Sequence, residues 1–194
     1  MGWEQIKELV QQCANEQIIQ AAMKKDLEPL AYVLAPSVTF RDEYIAFSEF
    51  PVGEGKVDFV VFNDRSRMHI YFIEVKGANF HFVNSDGSIH ADINEAAKQV
   101  RERITETMHT YHDSRYRMHQ IREDAEAGRI RYNSHVGTGA PLKVDPQKDI
   151  CLFGVVIGGT TRDDREESKL RHQWEADSVN IRFESWNSWL RKCL

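Results

Sequence analysis

Two carboxylates and a lysine occupy an unusual setting in this 194-residue chain: Asp58, then, after fifteen intervening residues, Glu74-Val75-Lys76. Each lies in a run of β-branched and aromatic residues that reads as a strand, so each carries charge into a largely apolar surface. Carboxylates held close together and half-buried repel one another, which is costly unless a cation sits between them. Oxygen-only donors select a hard ion, Mg²⁺ with Mn²⁺ as a substitute, and Mg²⁺ keeps waters and phosphate oxygens in its other positions. That chemistry suits a phosphodiester. Lys76, two residues beyond Glu74, returns to the same strand face, where it can orient a metal-bound water or stabilise transition-state charge. The competing reading of these three residues is a buried ion triad that neutralises itself. The Glu-x-Lys triplet decides little alone, since it occurs three times, beginning at Glu54, Glu74 and Glu167. Only the middle copy ends an apolar strand that follows an Asp-bearing one. The others belong to a Gly-containing turn and a charged helix.

The elements that must position these groups follow from periodicity. Trp3, Ile6, Val10 and Cys13, then an apolar series from Ile18 to Leu34, predict helices over 1–36 that stop at Pro36. Short β-rich runs predict strands at 43–50, 57–62 and 68–76, the last two forming a hairpin across 63–67. Pairing Phe62 with Met68 would put Asp58 opposite Phe72 and diagonal to Glu74, the carboxylates about 5 to 8 Å apart. Odd positions of the hairpin (Val57, Phe59, Val61, Tyr71, Ile73, Val75) form an apolar face that must lie on the core, and the even face is apolar apart from its three charges. A small hairpin at 80–83 and 88–91 turns on Asp86-Gly87. Asp92-x-x-Glu95 looks like a capping box opening a long helix to Tyr111, with Gln99 and Arg103 on one border of its apolar stripe. The stretch 132–148 reads as a surface loop or lid. A central strand at 149–157, a charged helix at 163–176, a strand at 179–186 and a short terminal helix close the chain. Helices, an antiparallel meander, a crossover helix and a return to central strands describe an α/β sandwich.

Length and 41% hydrophobic side chains favour a single domain over 1–194: terminal helices (1–36), strands and crossover helix (43–111), a helix and loop insertion (112–148) and closing strands and helices (149–194). With 25 Lys plus Arg against 30 Asp plus Glu, no general basic field draws the chain to nucleic acid or an anionic membrane. An anionic partner must be held locally. The segment 115–148 supplies a local charge of +3, seven basic residues against four acidic, with Tyr116 and Tyr132 interleaved. It is either a phosphate-tracking surface or a solvated face. Three widely spaced cysteines argue against a disulfide framework and favour a reducing cytoplasm; no stretch spans a bilayer. His109 and His112 lack partners at zinc spacing, and Gly158-Gly159-Thr160-Thr161 reads as a strand-to-helix turn rather than a phosphate loop.

Asp58 with Glu74-Val75-Lys76 resembles the signature of the PD-(D/E)XK nuclease superfamily, with Val57 where that pattern has proline. More narrowly, the run from Glu49 to Asp58, the segment Phe72-Ile-Glu-Val-Lys76-Gly77, the Ala96-Ala97-Lys98-Gln99 helix and Phe183-Glu-Ser-Trp186 are similar to the nuclease (C-terminal) domain of Shedu-type antiphage immune proteins. The resemblance implies a restriction-endonuclease-like sandwich, a central mixed sheet flanked by helices, that cuts DNA with Mg²⁺ in bacterial defence and works as a homo-oligomer, without an organic cofactor. It implies Asp58 and Glu74 as metal ligands, the carbonyl of Val75 and Glu49 as further ligands, Lys76 as the catalytic lysine and Gln99 as the helical glutamine that braces the site. Arg103, Arg115, Arg117, Arg129 and Arg131 are candidate nucleic-acid contacts; a surface ion pair of Arg103 with Glu102 or Glu106 is the plainer alternative. RNA as substrate, or a binding or assembly module that keeps the fold without activity, are the other readings.

Overall fold

Residues 2–33, 42–129 and 132–193 are described by the computed structural model of the protein. Six strands, β1 (Tyr44–Val52), β2 (Gly55–Asn63), β3 (His69–Val75), β4 (Ser134–Val136), β5 (Cys151–Ile157) and β6 (Ile181–Glu184), form one mixed sheet in the order β4-β1-β2-β3-β5-β6. β1 to β3 form an antiparallel meander with β4 antiparallel on the outer edge of β1, while β5 and β6 add in parallel beside β3. Parallel neighbours need crossovers. Helices α3 (Ala91–His109) and α4 (Tyr111–Glu126) lie in the first and α5 (Asp164–Ala176) in the second. α1 (Gly2–Gln11), α2 (Glu16–Lys25) and α6 (Trp186–Lys192) complete the fold.

Both faces of the central hairpin are buried. Val60, Phe62, Ile70 and Phe72 pack with Ile93, Ala96 and Val100 of α3 in one cluster, and Phe59, Val61, Ile73 and Val75 pack with Ile19, Met23, Trp186 and Trp189 in a second cluster on the other face. Each Val, Ile, Met and Phe among them contributes about 1.5–3 kcal/mol by leaving water. The result is a helix–sheet–helix sandwich of the restriction-endonuclease-like type. α3 comes so close to β5 that a Cβ at Gly154 would sit 2.3 Å from a methyl of Val100, so only glycine admits the crossover there. Among the described residues no helix is long and apolar enough to cross a membrane.

Several expectations are corrected. The helix after the meander is capped by His90, whose Nδ1 accepts from the Asp92 amide, so Asp92 lies inside the first turn rather than at the cap. That helix ends at His109, and α4 starts afresh after Thr110. The 132–148 stretch is no free lid. Its Ser134–Val136 pairs with β1, Val144 bridges Ser66, and Leu142 is buried with its amide donating to Glu126.

Candidate active site

The β2–β3 ladder runs from Asn63↔His69 to Phe59↔Ile73. One further step sets Asp58 directly across from Glu74. Phe62 pairs with Ile70 rather than Met68, a two-residue shift that turns the expected diagonal into a facing pair. The cause is the turn: Asp64 and Ser66 both take positive φ, and Met68 stays outside β3, its carbonyl accepting from Cys151. Beyond Ile73 the Asp58 side chain replaces the ladder, with Oδ2 accepting from the Val75 amide at 2.9 Å. On its other side β3 remains paired with β5 through Val75. The two carboxylates therefore sit where β2 and β3 part.

α2 closes the site. Asn15 caps it, accepting from the Ile18 amide, and Glu16 and Gln20 then fall four residues apart on one face. Gln20 Nε2 lies 2.8 Å from Asp58 Oδ2, 3.2 Å from the Val75 carbonyl oxygen and 3.2 Å from Glu16 Oε1. Lys76 Nζ donates to Glu16 at 3.3 Å, its side chain only 13% exposed. The Lys76 backbone is fixed on both sides, its amide donating to Ile157 at 2.7 Å and its carbonyl accepting from Trp186 Nε1 at 3.0 Å. A Cβ at Gly158 would approach Lys76 Cβ to 2.7 Å, so glycine is required where β5 ends beside the lysine. Neither Glu16 nor Gln20 was anticipated. The available signal was a polar i,i+4 pair beside the Ile19 and Met23 stripe, which many solvated helices share.

Burial pushes the Glu74 carboxyl up to about 9, with the Asp58 charge as the next cause. Burial also raises Asp58, against the lowering effect of the Val75 amide. The pair thus retains a proton near neutral pH and titrates as a unit. The folded chain binds more protons than the unfolded one between the ordinary value of 4.5 and about 9, so pH-dependent stability falls as pH rises through that window. Glu74→Gln, which keeps the shape without the charge, is expected to raise metal-free stability at pH 8 by about 1–4 kcal/mol and to flatten its decline from pH 6 to 9. Urea denaturation across that range checks this; an unchanged pH profile would contradict it.

Among the described residues, the other expected site residues apart from Val75 make no hydrogen bond or ion pair with Asp58, Glu74 or Lys76. Glu49, at positive φ in β1, forms ion pairs with Lys24 and Lys56, and its bond to Lys24 lowers its pKa. Those lysines hold its carboxylate. Gln99 lies on α3 with Oε1 buried and without a partner among the described residues. Arg103, one turn on, packs over Gly55 and pairs with Glu106, the plainer of its two readings. Arg115 donates to the carbonyls of Gln147 and Lys148, and Arg129 pairs with Asp124. Arg117 is exposed on α4. Arg122 is buried against Glu123 and Glu126. Arg131 lies outside the described residues. Much of the basic segment's charge is therefore compensated by groups on or beside it.

Among the described residues, no group of three or more His, Cys, Asp or Glu side chains gathers as a metal site. Asp58, Glu74 and the Val75 carbonyl still supply an all-oxygen set that fits Mg²⁺, which takes one or two carboxylates and fills its shell with water and phosphate oxygens. The unpartnered Gln99 Oε1 is a buried acceptor on the helix over this sheet. No curated protein matches the chain by sequence. A family model described as "Shedu protein SduA, C-terminal" matches residues 14–190, taking in all six strands, α2 and each residue of the pair and its surroundings. The chain therefore belongs to the family of Shedu protein SduA C-terminal domains.

Proposed function

We propose that this domain is a Mg²⁺-dependent endonuclease that hydrolyses DNA phosphodiesters in antiphage defence. The observation that carries the reading is the facing pair of Asp58 and Glu74 where β2 and β3 part, with Lys76 just past the end of β3. Asp58, Glu74 and the Val75 carbonyl would hold the ion, which supplies a nucleophilic water and polarises the phosphoryl oxygen. Lys76, tethered to Glu16, keeps an ammonium beside the reacting phosphate, where its charge is worth more than in water because the surroundings are largely dry. A bound cation would favour the ionised form of both Asp58 and Glu74, so their shared proton would pass to solvent and the cation's charge would offset the cost of burying two carboxylates. Gln99 Oε1 offers an acceptor that can orient a water or a neighbouring ligand.

The test is incubation with supercoiled plasmid, labelled linear DNA and labelled RNA in Mg²⁺, Mn²⁺ or EDTA. Divalent-dependent cleavage of DNA is expected. Cleavage of RNA alone would move the substrate to RNA, and intact polymers throughout would favour a binding module with this fold.

A further inference from the structure

Gln20 Nε2 stands at a point where three oxygens from three different segments converge: Asp58 Oδ2 at 2.8 Å, the Val75 carbonyl at 3.2 Å and Glu16 Oε1 at 3.2 Å. Two of the three are the groups assigned above to the cation. A carboxamide nitrogen has two protons, so it cannot satisfy three acceptors fully, whereas a cation can draw on all three at once. The amide orientation is itself fixed, because the reverse would set a fourth oxygen against these three. Gln20 is half-buried and Glu16 lies one turn back with 41% of its side chain exposed. The Gln20 side chain can therefore rotate toward solvent without disturbing Asn15, which caps α2, or the buried Ile19 and Met23 that hold the helix to the sheet.

We infer that the Gln20 carboxamide occupies the cation position as an internal competitor, so that ion binding requires its displacement and Gln20 sets the divalent concentration at which the site loads. The inference rests on the metal-site reading above and adds to it a residue that touches the ligands but opposes loading. The gate is a rotamer change and needs no movement of α2. Glu16 belongs to the same device: with Gln20 displaced its carboxylate keeps Lys76 in place, so opening the site does not release the lysine. A residue that merely braced Asp58 would behave in the opposite way, since its loss would loosen a ligand and weaken ion binding.

The experiment is titration of Mn²⁺ into the full chain, followed by calorimetry and by the loss of free-Mn²⁺ electron paramagnetic resonance signal. Wild type is compared with Gln20→Ala, Gln20→Lys, Asp58→Ala and, as a control on the exposed side of the same helix, Gln17→Ala. Gln20→Ala is expected to bind Mn²⁺ about 10-fold more tightly, the size expected for removing a hydrogen bond to a charged group. Gln20→Lys, which sets a permanent ammonium at the same point, should abolish binding, and Gln17→Ala should match wild type. Urea denaturation in EDTA establishes that each variant is folded. Equal or weaker Mn²⁺ binding by Gln20→Ala, with wild type binding normally, overturns the gate and leaves the metal site standing. Absence of binding by wild type and Gln20→Ala alike overturns both.

Discussion

Lys76→Ala is expected to lower plasmid cleavage by about 10²–10⁴-fold while leaving the fold and Mn²⁺ binding close to wild type. Among the described residues the side chain pairs with the partly exposed Glu16, and without its charge Asp58 and Glu74 hold their shared proton more strongly instead of leaving an unpaired buried charge. Its backbone bonds to Ile157 and Trp186 do not depend on the side chain. Lys76→Arg should recover only part of the rate, because the planar guanidinium places its charge differently from an ammonium. Rates from initial nicking of supercoiled plasmid, with denaturation midpoints for each variant, separate chemistry from folding. A Lys76→Ala protein that nicks at the wild-type rate would remove the lysine from the mechanism.

The second large effect is structural and reaches the site indirectly. Trp186 is fully buried, meets Trp189 edge-to-face at 5.5 Å between ring centroids, and donates from Nε1 to the Lys76 carbonyl. Trp186→Ala removes one of the two fully buried tryptophans at this end of the second core cluster and should cost about 3–5 kcal/mol. Trp186→Phe fills most of the volume and loses the hydrogen bond, at about 1 kcal/mol. If the indole fixes the lysine, Trp186→Phe should reduce cleavage several-fold at a temperature where the protein remains folded. A loss below about 1 kcal/mol for Trp186→Ala in urea denaturation would contradict this account of the core.

Much of this architecture was legible in the chain because its signals are local and strong. The β2 and β3 runs are dense in β-branched and aromatic residues, the α3 stripe repeats at helical spacing, and the nearly continuous apolar run of β5 announces a strand covered on both faces. What escaped depends on partners distant in sequence. β4 is three residues, Ser-His-Val, with no pattern of its own, and becomes a strand only because β1 offers an open edge. The hairpin register was misplaced by two residues because the turn absorbs two non-glycine residues at positive φ, which composition does not reveal.

The same distinction holds at the site. Asp58, Glu74 and Lys76 stand out because charge interrupts an apolar strand. Glu16 and Gln20 do not, because polar residues on a terminal helix are unremarkable until α2 is seen to lie over the opening of the sheet. Glu49 shows the converse. It lies in β1, near Asp58 in the sheet, yet its carboxylate is bound by Lys24 and Lys56. Strand neighbourhood does not by itself decide which way a side chain at positive φ will turn.

The most direct measurement is anomalous scattering at the manganese edge from crystals of the protein grown with MnCl₂, beside crystals of Asp58→Ala grown identically. The account predicts one peak between the Asp58 and Glu74 carboxylates, within bonding distance of the Val75 carbonyl, and its disappearance in the variant. A map without a peak there, or a peak that persists in Asp58→Ala, would contradict it and leave Asp58, Glu74 and Lys76 as a self-neutralised cluster in the sheet.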